Sequence, residues 1–200
     1  MWWLGKIPPS YPRGGFFAAL NFGMTHVLGY NLFMAIIGLR PIGELEPAIL
    51  ARLVAPLAVT FGLEVRVGPA LSHPYYAYDA TRRQYQASLI LAQLQAARWP
   101  DEQHILGVFD GDLFAPQLNF AFGEASRRER SAVIGLARLR SDDPARFARR
   151  ILIEAIHELG HSYGLSHCPS PGCVMHFSNR LEDTDYKQPA LCPRCRLKVM

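Results

Sequence analysis

The sequence predicts an α/β (α+β) domain: a mixed, twisted sheet with helices, one long metal-binding helix, and a small irregular C-terminal part stapled by metal. Three observations carry that expectation. Between residues 35 and 139, short apolar runs rich in β-branched residues alternate with segments of helical apolar spacing. The eleven residues from His157 to His167 hold three histidines at metal-ligand spacing. All four cysteines fall within 28 positions near the C-terminal end.

Taken in order, residues 35–39 read as a buried strand. Pro47 suits the first turn of a helix, and Leu50, Leu53, Val54, Leu57 and Phe61 then follow at helical spacing. Pro56 is expected to kink this helix and Gly62 to end it. A second strand spans 63–67, and the proline, tyrosine and histidine residues of 69–78 form a loop. Residues 84–99 carry Leu89, Leu91 and Leu94 and read as a second helix. Further strands are expected at 105–109, 118–122 and 132–139. Asp143-Pro144 supplies an N-cap and a first-turn proline for a long helix that runs to about Gly164. No internal repeat is apparent.

On that helix His157 and His161 lie one turn apart on the same face, with Cβ atoms roughly 5–6 Å apart, close enough to share one ion. Zinc accepts imidazole nitrogens at about 2.0–2.1 Å and, in catalytic sites, keeps a position open. Glu158 flanks the first histidine, where a carboxylate can take a proton from water activated by the metal. A continuing helix would carry His167 about 9 Å beyond His161 and about 120° around the axis, out of reach of the same ion. Gly164 accepts a positive φ without steric cost, so the chain can turn there and bring His167 back.

The cysteines follow the order C-x4-C-x18-C-x2-C: Cys168, Cys173, Cys192, Cys195. Two close pairs separated by a loop are the layout of a closed, tetrahedral, structural zinc site. Two other readings stand beside it: a redox pair at Cys192-Pro193-Arg194-Cys195, and two disulfides in an oxidising compartment. Thioredoxin-like pairs open a helix after a strand in a βαβ unit, a context lacking here. A structural ion would also explain how so short a tail stays folded.

The extended histidine motif with Met175 shortly after it resembles the metzincin metallopeptidases. Cys168 abutting His167, the Cys173-Val174-Met175 step and the Cys192–Cys195 pair resemble one branch of them, the archaemetzincins. The likeness extends upstream to Ile105-Leu106-Gly107-Val108, Asp110-Gly111-Asp112-Leu113-Phe114, Leu118-Asn119-Phe120-Ala121-Phe122-Gly123-Glu124-Ala125 and Leu136-Ala137-Arg138-Leu139, covering roughly 34–195. The resemblance implies a metzincin-like catalytic domain, with 34–166 as upper subdomain and 167–200 as lower subdomain around the four-cysteine site. It implies a zinc-dependent peptidase with two Zn2+ ions, one catalytic and one structural. Metal ligands would be His157, His161 and His167, and Cys168, Cys173, Cys192 and Cys195, with Glu158 as general base. Met175 would form an apolar floor beneath the histidines, since a thioether does not displace imidazole on zinc. Asn119-Phe120-Ala121-Phe122 would form the sheet edge against which an extended substrate pairs. Tyr186 is the one tyrosine after Met175 that could serve as a second oxyanion partner, and Glu154 would make a structural contact. The alternative function is a catalytically silent zinc-binding or regulatory module whose cleft is closed by a loop such as 72–78.

Composition agrees with a folded domain. Half of the 200 residues are hydrophobic and 19% are charged, below the roughly 25% of average domains, a balance that excludes a disordered chain. The net charge of +4 is mostly arginine, at Arg127, Arg128, Arg130 and at Arg146, Arg149, Arg150. These are interleaved with Glu129, Asp142 and Asp143 and read as solvated faces, so no nucleic-acid partner is expected. Residues 1–33 lack any acidic group and read as an extension ahead of a true start at Met34, or as a membrane or signal segment. A peptide or protein substrate, a monomer and a cytoplasmic location complete the expectation.

Overall fold

The computed structural model describes residues 35–199, so the expectations for 1–33 lie outside the described residues. Along the chain, β1 (Ile36–Ile42) leads through α1 (Pro47–Phe61) to β2 (Glu64–Val67); two short strands, β3 (Tyr78–Asp79) and β4 (Gln84–Gln86), precede α2 (Ala87–Ala96). Then come β5 (Glu102–Phe109), β6 (Leu113–Phe114), β7 (Gly123–Ser126) and β8 (Ser131–Gly135), the long helix α3 (Pro144–Ser162), and two short helices, α4 (Leu181–Tyr186) and α5 (Pro193–Arg196). The main sheet has the order β2-β1-β5-β8-β7. Its neighbours pair in parallel except β7, which runs antiparallel to β8 at the edge. The sheet is therefore mixed.

Alternation along the central strands sorts the core into two layers. Leu106 and Val108 of β5 and Ala132 and Ile134 of β8 join one cluster with Leu53 and Leu57 of α1 and Ile153, Ile156 and Leu159 of α3. Ile105, Phe109 and Val133 point the other way and pack on Ile90, Leu91 and Leu94 of α2. Successive side chains of a strand leave on opposite faces, and a sheet covered on both sides needs apolar residues at every position. That is why these strands read as continuous hydrophobic runs. Within the sheet Arg40 and Glu102 form a buried pair, Nη2 at 2.7 and 2.8 Å from the two carboxylate oxygens.

Local reading and structure part company in three places. The helix expected at 84–99 begins only at Ala87, because Tyr85 N donates to Asp112 O (2.8 Å) and Tyr85 registers against Leu113 in a small second sheet, β3-β4-β6. The strand expected at 118–122 is a looped segment with one isolated bridge, Leu113 to Ala121. Side chains take its carbonyls: Arg82 donates to the oxygens of Leu118 (2.6 Å) and Asn119 (3.1 Å), and Gln84 donates to Asn119. The edge strand is the next segment, β7. The strand expected at 132–139 stops at Gly135 and continues as a 3-10 turn, Ala137–Leu139.

Beyond α3 the chain has little regular structure and is fastened side chain by side chain. Arg150, expected on a solvated face, is only 7% exposed and clamps Asp185 with two hydrogen bonds, Nε at 2.8 and Nη2 at 2.6 Å. Arg149 donates to the carbonyls of Asp185 and Lys187. Their carboxylate and carbonyl partners arrive from a segment thirty-odd residues later, which local charge interleaving does not reveal. Arg127, Arg128 and Arg130 are exposed as expected. Among the described residues no helix is long and apolar enough to cross a membrane.

Candidate metal centres and cleft

Helix α3 starts where the Asp143 side chain accepts from Ala145 N at 2.9 Å, a side-chain N-cap followed by Pro144 at the first position. It ends in a Schellman motif. Leu165 N donates to Gly160 O (3.0 Å) and Gly164 N to His161 O (2.8 Å), with Gly164 at φ +91°. This turn brings His167 back to the helix, and the nitrogens of His157, His161 and His167 come within 4.8 Å of one another.

Two of the rings are held from behind. His157 Nδ1 donates to Val174 O at 2.8 Å and His161 Nδ1 donates to Leu165 O at 2.7 Å. A ring that donates from Nδ1 presents the lone pair of Nε2, so these carbonyls fix the tautomer a metal ligand needs. The two Nε2 atoms then face each other at 3.1 Å. Two nitrogens at about 2.05 Å from one tetrahedral zinc would stand about 3.3 Å apart. Burial favours the neutral rings, lowering the pKa of all three, with nearby Lys187 adding to it in each and neighbouring histidines adding to it for His157 and His167. The donor set fits zinc.

Beneath the rings Met175 is fully buried, and its sulfur lies so close to Gly160 that any side chain there would collide with it. Met175 O accepts from Cys168 N (2.8 Å), and His176 Nδ1 donates to Cys168 O (2.9 Å). One turn thus joins the floor of the histidine cluster to the first cysteine. The thiols of Cys168, Cys173, Cys192 and Cys195 are all unpaired and converge within 4.8 Å of one another. Cys168 Sγ and Cys192 Sγ stand 3.9 Å apart, against about 3.8 Å for two thiolates at about 2.3 Å on a tetrahedral zinc. The second donor set fits zinc as well.

A cleft of about 430 Å³ opens onto the histidines. Leu118, Asn119, Phe120 and Phe122 form one wall, Phe177, Ser178 and Asn179 the other, and Glu154, Glu158 and Lys187 its base. Residues 72–78 do not line it. Glu158 is buried, and burial, followed by the neighbouring Glu154 carboxylate, pushes its carboxyl well above the usual range. Glu154 lies one turn before it and accepts from Thr184 Oγ1 at 3.0 Å. Tyr186 is 80% exposed and absent from the cleft; the next residue, Lys187, is there instead. Sequence reasoning missed Lys187, since a single lysine carries no spacing signal.

The family model of peptidase family M54 matches residues 59–200. A Thermococcus kodakarensis protein named archaemetzincin is 38% identical over 180 residues, covering 84% of this chain and 96% of that protein. A Pyrococcus abyssi archaemetzincin is 40% identical over 178 residues, covering 83% and 95%. The crystal structure of a Methanopyrus kandleri archaemetzincin superposes with a TM-score of 0.77 at 35% identity, covering 86% of this chain and 97% of that one. An Archaeoglobus fulgidus archaemetzincin, solved as a malonate complex, gives 0.72 at 36% identity, covering 82% and 99%.

Proposed function

The chain belongs to peptidase family M54, the archaemetzincins, and is a zinc metallopeptidase; from that premise we propose that His157, His161 and His167 hold the catalytic zinc and that Glu158 is the general base. The observation that carries this reading is the pair of back-side hydrogen bonds, from His157 to Val174 O and from His161 to Leu165 O, which turn two lone pairs toward one point. A zinc ion held there supplies a Lewis acid that polarises a carbonyl and acidifies water. Glu158, at the base of the cleft, takes the proton of the attacking water and delivers it to the leaving amine. Its burial favours the protonated form, and a divalent cation alongside reverses that preference, so the carboxylate is ready when the metal is present. The looped segment 118–122 walls the cleft where an extended peptide would lie, with Phe120, Phe122 and Phe177 offering apolar contact to its side chains. We assign the second zinc to Cys168, Cys173, Cys192 and Cys195, where it is structural.

The test is to incubate zinc-loaded protein and its Glu158→Ala variant with a complex peptide mixture and to read new termini by mass spectrometry. Cuts by the wild type, reduced about 10²–10⁴-fold in the variant with both metals retained, are expected. Identical profiles with both sites filled would sink the assignment and leave a zinc-binding module in its place.

A further inference from the structure

Glycine inside a strand weakens it, having no side chain to pack, and often marks a place where another group comes close. Gly123 opens the edge strand β7, in register with Ile134 of β8. Among the described residues the glycines at positive φ are Gly43, Gly62 and Gly164, so the backbone at Gly123 has no conformational need of glycine. The need is for space. A Cβ at this position would lie 2.5 Å from Cγ and 2.9 Å from Cδ of Glu158, and 2.6 Å from the carbonyl oxygen of Val133. Carbon atoms in good contact stand about 3.5–4.0 Å apart. Two of the three crowded atoms therefore belong to the residue assigned as general base.

The two neighbours differ in how far they can give. Val133 lies in β8, registered against Gly107 of β5 on one side and Glu124 of β7 on the other, so the sheet fixes its carbonyl. Glu158 lines the cleft with a flexible side chain, and open space lies on that side of it. An added methyl group would push the glutamate toward the cleft before it moved the sheet. That displacement matters for the reaction, because a general base must stand within hydrogen-bond reach of the proton it takes. Misplacement by about 1 Å can cost about 10²-fold in rate.

We propose that Gly123 is a positioning residue for the hydrolysis: carrying no side chain, it seats Glu158 against the backbone of the edge strand and fixes where the carboxylate stands. This rests on the assignment of Glu158 as general base. Gly123 lines the cleft directly after the looped wall 118–122. One stretch of chain thus walls the cleft and sets the base beneath it.

Zinc-loaded wild type, Gly123→Ala, Glu158→Ala and the double variant are compared in zinc content, in Tm and in kinetics on a peptide cut by the wild type. Gly123→Ala is expected to keep its zinc, with kcat reduced about 10²-fold and KM little changed. Its loss in Tm should be smaller when Glu158 is already alanine, because Cγ and Cδ are then gone and only the Val133 contact remains. A general loosening of the edge strand would lower Tm equally in the two backgrounds. If Gly123→Ala alone does not fold, the double variant decides: folding supports the proposal, and failure to fold overturns it. Wild-type kcat in Gly123→Ala, zinc lost from its histidines, or equal Tm losses in the two backgrounds would also overturn it. A Glu158→Ala protein that cuts as fast as wild type would instead overturn the base assignment on which the proposal stands.

Discussion

The histidine and cysteine clusters adjoin at His167 and Cys168, yet they are held by different means. The histidines stand on a 19-residue helix and its Schellman turn, with two rings locked by backbone carbonyls before any metal arrives. The cysteines come from loops and the four-residue helix α5, joined by a few backbone hydrogen bonds such as Val174 N to Ala190 O and Gln188 N to Gly172 O, and by their converging sulfurs. The difference sets a direction of dependence. Val174, whose carbonyl holds His157, sits between Cys173 and Met175, so the histidine site leans on the turn that the cysteines stabilise. No comparable hydrogen bond runs from a histidine ligand to hold a cysteine among the described residues.

The largest way to break the comparison is Cys195→Ser. Structural zinc supplies folding free energy outright, so this variant should lose about 5 kcal/mol or more and melt far below wild type in calorimetry. A small shift would mean that the lower region stands without its metal.

A second test uses pH. His104 lies under the end of α3, stacked on Tyr163 at 3.7 Å, with its Nδ1 donating to Ser162 Oγ at 2.9 Å. Burial, with Arg130 and Arg98 adding to it, lowers its pKa from 6.5 to about 4. A histidine with a depressed folded pKa contributes stability above its unfolded pKa and loses it as pH falls from about 6.5 through the folded value. About 1–3 kcal/mol should disappear across that window. A His104→Gln variant should show a flatter pH–stability curve when both are melted metal-free. An unchanged curve would show that His104 carries none of the acid sensitivity.

Gly164→Ala sharpens the account of the turn. At φ +91° a side chain is strained, and a Cβ there would lie 2.7 Å from Arg127 Nε. A loss of about 1–2 kcal/mol is expected, with weaker zinc binding at the histidines and undisturbed binding at the cysteines. Equal weakening of both sites would show that the turn does not belong to the histidine site alone. The smallest effect is expected from Asp143→Ala, at the far end of α3. It should cost about 1 kcal/mol in Tm-derived stability and leave peptide hydrolysis unchanged.

The two clusters were legible because each is written in residue types whose spacing has few other uses. His157, His161 and His167 lie within one helix and one turn, so local geometry suffices to converge them. The fold class was legible from the alternation of buried strands and helices. What escaped depends on distant partners. Gln84–Gln86 became a strand because β6 lies beside it, and 118–122 lost its strand because Arg82 and Gln84 took its carbonyls. Arg150 and Lys187 owe their burial to each other's segments, thirty-seven positions apart in sequence. Tyr186 looked eligible from its place after Met175, but the turn that buries Lys187 points Tyr186 to solvent.

The direct test of the central claim is zinc content per chain, by mass spectrometry, in wild type, His161→Ala and Cys195→Ser, with peptide hydrolysis measured on the same samples. The account predicts two ions in the wild type, one for each cluster, and one in His161→Ala, with hydrolysis abolished. Cys195→Ser should lose the cysteine-site ion and, through Val174 and His157, most of the histidine-site ion and the hydrolysis with it. A Cys195→Ser protein that keeps one full zinc and wild-type hydrolysis would contradict the account.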